Sequence, residues 1–151
     1  MKFPFYRFLS EPCSAFPKIN ALYRPVIPIH IYSPDLKYKF RHYALLDTGA
    51  DYNLFHGDLL SILNMDYLDE GKREDMFGIE GRGVPTYFHD VVIEVGSWRY
   101  KTPTAFTNYG MVSTPDQITY GILGQVGFFN HFKVTFDYDN EQIDIKPINK
   151  K

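Results

Sequence analysis

The chain has 151 residues, 44% of them hydrophobic, 17% aromatic and 23% charged, with a formal net charge of -2. That supplies the apolar material for one packed domain and argues against intrinsic disorder. Lys and Arg form no block, so the charge pattern implies no nucleic-acid partner. The single cysteine, Cys13, permits neither an intrachain disulfide nor a cysteine-based metal cage, which suits a reducing compartment. The opening residues are interrupted by Pro4, Arg7, Glu11 and Pro12 and lack the apolar run of a signal peptide. No apolar stretch reaches the roughly 18 residues of a membrane span. The expectation is a soluble, cytoplasmic protein with no membrane partner.

Residues 1–24 are rich in proline and aromatic residues without clear periodicity, and read as an N-terminal arm lying against a domain of residues 25–151. From Arg24 the pattern becomes β. Ile27, Ile29 and Ile31 alternate with Pro28 and His30, and Tyr38, Phe40, His42, Ala44 and Leu46 alternate with Lys39, Arg41 and Tyr43. Short helices are predicted over Asp58–Leu63 and Val126–Phe132. Val91, Ile93 and Val95 form another alternating run, ending at the turn Gly96-Ser97. Val134 and Phe136, then Ile143 and Ile145, read as a hairpin with its tip at Tyr138–Glu141. Many short strands punctuated by Gly, Pro and Asn predict an all-β sandwich or closed barrel.

One segment carries chemistry. In Ala44-Leu45-Leu46-Asp47-Thr48-Gly49-Ala50-Asp51 an apolar strand runs directly into an acid and then a tight turn. Burial of a carboxylate at a strand end disfavours its charge unless something stabilises it. Gly49 admits a close approach of another backbone, and Thr48 offers a hydroxyl. Taken alone, an Asp-Thr-Gly tripeptide after a strand also reads as an ordinary turn.

The segment resembles the active-site signature of the retropepsin family of dimeric aspartic proteases over its whole length. Two further matches follow in order. Gly78-Ile79-Glu80-Gly81, before the strand Val91–Val95, is similar to the family's glycine-rich flap. Gly121-Ile122-Leu123-Gly124 is similar to the element that closes the loop behind the catalytic Asp. The resemblance covers about residues 25–147.

The resemblance implies a retropepsin-like acid protease fold with a flap hairpin, acting as a homodimeric endopeptidase on polypeptide substrates without a cofactor. Asp47 would be the catalytic acid, paired with Asp47 of a second copy, since the chain has one Asp-Thr-Gly and no Asp-Ser-Gly. Thr48, Gly49 and Ala50 would support the site. Asp51, Gly78, Ile79, Glu80, Gly81 and Ile122 would bind substrate. The alternative implied is a catalytically inactive dimer of the same fold that binds peptides or acts as a scaffold.

The departures from the retroviral pattern also carry expectations. Ala50 brings no hydroxyl to the ionised dyad, which predicts a less acidic optimum. Glu80 adds a carboxylate to the flap tip, and Pro85 removes a donor from a flap strand. Gln125 stands where an Arg pairs with the acid matching Asp51, so that bridge cannot form. The five histidines, His30, His42, His56, His89 and His131, lie too far apart for a zinc signature. Phe128, Phe129 and Phe132 sit at helical spacing and are expected in the core.

Overall fold

The structure is a computed structural model and describes residues 1–65, 67–77, 81, 83–109 and 119–148. Twelve strands are found among them, with one short α-helix and one turn of 3-10 helix. The architecture is all-β.

The alternating isoleucines form β4 (Val26–Tyr32), with Ile27, Ile29 and Ile31 essentially inaccessible to solvent. It pairs antiparallel with β5 (Lys39–Leu46), setting Ile27 opposite Ala44 and Ile31 opposite Phe40. Ala44 and Leu46 point inward as the period of two requires, whereas Tyr38 lies before the strand and is exposed. Two long strands, β8 (Gly83–Val95) and β9 (Trp98–Thr107), form a hairpin closed at Val95 and Trp98 by the Gly96-Ser97 turn. The strand β7 (Lys72–Phe77) adds to β8 at the sheet edge.

The central feature is where two short strands sit. β6 (Leu54–His56) lies beside β9, and β10 (Gly121–Leu123) is inserted between β5 and β6. β10 runs parallel to β5 and antiparallel to β6, with Ile122 opposite both Leu45 and Leu54. The sheet order is therefore β4-β5-β10-β6-β9-β8-β7, and β8 also pairs back to β4. That second pairing curls the sheet around a core containing Phe55, Phe106, Phe128 and Ile93, each with no exposed surface. Burial of one such phenylalanine contributes on the order of 2–3 kcal/mol.

Residues 1–24 carry three strands. β1 (Lys2–Pro4) pairs with β12 (Gln142–Pro147), which pairs in turn with β11 (Phe132–Asp137). β2 (Tyr6–Leu9) and β3 (Ala21–Arg24) form a hairpin of their own. Phe8 of β2 is buried with Val26 and Tyr120 in a second, smaller core. Arg24 covers the Phe8 ring at 5.1 Å and donates to the Tyr120 hydroxyl at 2.6 Å.

Helix α1 (Asp58–Ile62) forms where the sequence predicts it and buries Leu59 and Leu60. At five residues it is held by packing, not by its own propensity. The helix predicted over Val126–Phe132 does not form. Gly127 has φ +109°, outside helical space, and the Val126 N–H is drawn away to the Asp51 carbonyl at 2.8 Å. The segment closes as wide turns instead, with Phe129 N–H on Gly124 O at 3.2 Å and Asn130 N–H on Gln125 O at 3.0 Å. Phe128 and Phe132 still enter the core, ring against ring at 5.0 Å. Among the described residues no helix is long and apolar enough to cross a membrane.

Candidate active site

β5 ends at Leu46, and the chain leaves the sheet at Asp47. The Asp47 N–H still finds a sheet partner, donating to the Leu123 carbonyl of β10 at 3.0 Å. The turn that follows is closed by the Ala50 N–H on the Asp47 carbonyl at 3.2 Å. Within it the Gly49 N–H donates to Asp47 Oδ1 at 2.9 Å, orienting the half-buried carboxylate.

The far side of the loop is braced by the segment after β10. Gln125 donates its backbone N–H to the Ala50 carbonyl at 2.8 Å and its side-chain Nε2 to the Thr48 carbonyl at 3.0 Å. Val126 N–H on Asp51 O, at 2.8 Å, extends the contact. This approach requires glycine at 124, because a side chain there would run into the carbonyl groups of Tyr52 and Ala50. The Gly124 N–H itself is taken by Oδ1 of fully buried Asn53 at 3.0 Å.

Asp47 opens into a cleft of about 640 Å³. Gly49, Ala50, Asp51, Tyr52, Leu54 and Ile122 line it with Asp47 on one side, and Asp75, Met76 and Phe77 of β7 on the other. A neighbouring cavity of about 560 Å³ shares Tyr52, Asp75 and Met76 and extends to Phe88, Pro103 and Val126. Tyr52 stands edge-on to Phe88 at 5.2 Å. The two spaces adjoin, their apolar side chains interspersed with Asp47, Asp51 and Asp75 in the first and Lys72, Glu74 and Asp75 in the second, and together they suit an extended chain with side chains that alternate in direction. Among the described residues, no group of three or more His, Cys, Asp or Glu is placed to hold a metal ion.

In three dimensions the chain is similar to retropepsin-like aspartic proteases. EIAV protease in an inhibitor complex matches at 24% identity over 68% of this chain and 82% of that one, with a TM-score of 0.47. A retropepsin-like aspartic protease from Rickettsia conorii matches at 17% identity over 78% of each chain, with a TM-score of 0.48. No family model matches the chain, and no curated protein matches it.

Of the residues singled out by sequence, Asp47, Gly49, Ala50, Asp51 and Ile122 line one cleft. Thr48 is exposed at the tip of the turn. Gly78, Ile79 and Glu80 lie outside the described residues. Gly81 is described, with φ +69°, between β7 and β8. The strands that would carry a flap, β7 and β8, are paired, Asp75 opposite Pro85 and Phe77 opposite Gly83. Gln125 makes no bridge to Asp51; its amide goes to Thr48.

Sequence reasoning missed Tyr52, Leu54, Asp75, Met76 and Phe77 as cleft residues, and Asn53 as a support. Lys72–Phe77 is mostly charged, and its burial pattern has no period of two. Its one signal is the hairpin partner β8, which requires an antiparallel neighbour before it.

Proposed function

We propose that the chain is one subunit of a homodimeric aspartic endopeptidase in which Asp47 and its counterpart from a second copy form the catalytic dyad. The observation that carries this reading is the Asp47 loop. A carboxylate stands at the end of a central strand, held by the Gly49 N–H at 2.9 Å, in a cleft lined by Tyr52, Leu54, Met76 and Ile122 and by two further carboxylates, Asp51 and Asp75.

A single carboxylate cannot serve as acid and base in one step. Two in contact can, because like charges that close cannot both ionise, and they share a proton. The ionised member then takes a proton from water as the water attacks the amide carbon. The protonated member donates to the carbonyl oxygen. The chain contains one Asp-Thr-Gly, so the second acid comes from a second copy, related by a two-fold axis at the site. In this reading Thr48, exposed beside Asp47, meets its own counterpart across that axis. The hairpin of β7 and β8, over the cleft, serves as the cover that excludes water when a peptide is bound. A cytoplasmic setting fits the single exposed cysteine, Cys13.

The test is cleavage of an unfolded protein between about pH 3 and 8 by the wild type and by Asp47→Asn, spanning the titration range of carboxylates and histidine. Hydrolysis by the wild type alone is expected. Hydrolysis by both proteins, or by neither, rejects the assignment.

A further inference from the structure

We propose that Gln125 is the positioning residue of the Asp47 loop, acting through the peptide group that joins Thr48 to Gly49. Its consequence for catalysis rests on the peptidase reading above; its geometry does not.

A peptide group is planar, so its C=O and N–H move as one rigid unit. At this plane both ends are engaged. The Thr48 carbonyl accepts Gln125 Nε2 at 3.0 Å, and the Gly49 N–H on the same plane donates to Asp47 Oδ1 at 2.9 Å. A donor on the carbonyl also polarises the amide and strengthens the bond its N–H makes. Rotation of the plane would carry the N–H away from the carboxylate, and glycine at 49 does little to resist such rotation. The carboxylate lies close: a Cβ on Gly49 would stand 3.2 Å from Asp47 Oδ1.

Gln125 is itself fixed. Its N–H is on Ala50 O at 2.8 Å, and its own carbonyl accepts Asn130 N–H at 3.0 Å. It therefore grips the loop on both sides of Gly49, at Thr48 with its side chain and at Ala50 with its backbone. The residue is exposed, so changing the side chain alters the bond without opening the core. Sequence comparison with retroviral enzymes leads one to expect a lost ion pair at this position; the structure gives the residue a different partner and a different task.

The test compares the wild type with Gln125→Met, which keeps length and removes the donor, and Gln125→Lys, which restores one. Two quantities are read: water exchange of the Gly49 amide proton by NMR, and the pH dependence of kcat/KM on a peptide substrate. In Gln125→Met, Gly49 exchange is expected to quicken by roughly two- to tenfold, the factor associated with one neutral hydrogen bond. The acid limb of the activity profile is expected to move to higher pH, because the carboxylate loses support for its charge. Gln125→Lys is expected to recover part of both effects. Unchanged Gly49 exchange in Gln125→Met overturns the proposal, as does a Lys variant that behaves like Met. A wild-type chain that hydrolyses nothing, with Gly49 exchange responding as expected, retains the positioning role and removes the peptidase reading alone.

Discussion

The carboxamide oxygen of Asn53 accepts the Gly124 N–H at 3.0 Å from a side chain with no exposure to solvent. The two residues belong to segments far apart in sequence, and their bond pins the strand β10 against the start of β6. Every contact that Gln125 and Val126 make with the Asp47 loop begins from that anchor.

Asn53→Ala removes the acceptor and leaves the Gly124 N–H buried without a partner. The expected loss of stability is about 1–3 kcal/mol, the cost of one orphaned backbone group, read as a lowered urea midpoint at constant slope. A midpoint equal to that of the wild type would mean that the bond does not anchor β10.

Ala50 lines the cleft beside Asp47 and offers no hydroxyl. Ala50→Ser places a donor there, which favours an ionised carboxylate over a protonated one. The pH optimum for hydrolysis should move toward acid, by up to about one unit if one hydrogen bond of roughly 1 kcal/mol is gained. No movement across a full pH profile would show that position 50 does not sense the dyad.

His42 sits between the rings of Phe40 and Phe55, each 5.9 Å away, and its Nε2 is buried without a hydrogen-bond partner among the described residues. Burial disfavours the imidazolium and pulls the pKa below its ordinary value of 6.5. The unfolded chain therefore takes up this proton at a higher pH than the folded one. The contribution of His42 is complete above about 6.5 and is lost as the pH falls through that value and below. Thermal stability should decline on acidification through this window, and His42→Phe should flatten the decline. Equal slopes for the two proteins between about pH 7 and 5 would assign the effect elsewhere.

Phe8, in the segment before the main sheet, is 4% exposed and packs with Val26 and Tyr120. Phe8→Ala should cost on the order of 3 kcal/mol, and the lost packing should loosen Tyr120, the residue that leads into β10. Denaturation would show the first effect, and faster amide exchange at Gly121–Leu123 the second. A near-neutral substitution would mean that residues 6–24 are a detachable attachment.

Local chemistry made much of the fold legible. Ile27, Ile29 and Ile31 all point inward, and the alternating run Val91–Val95 ends at the Gly96-Ser97 turn as expected, although the long strand that follows it, β9, was not foreseen. The segment Val126–Phe132 misled because its phenylalanines do have helical spacing and do reach the core. What overrode the helix was a competing partner, the Asp51 carbonyl, together with the backbone of Gly127 at φ +109°. Residues 2–9 and 21–24 gave no signal because their strands are three or four residues long, too short for a period of two to register.

That a strand of alternating apolar residues ends in an acid, a hydroxyl and a glycine is legible along the chain, since side-chain period and turn chemistry are properties of neighbours. What that acid faces is set by packing between distant segments. Insertion of β10 between β5 and β6 brings Gln125 to a loop 77 residues earlier, and pairing of β7 with β8 brings Asp75, Met76 and Phe77 to the cleft. Strand pairing is chosen by hydrogen-bonding groups that every residue carries, so partners distant in sequence leave no local mark.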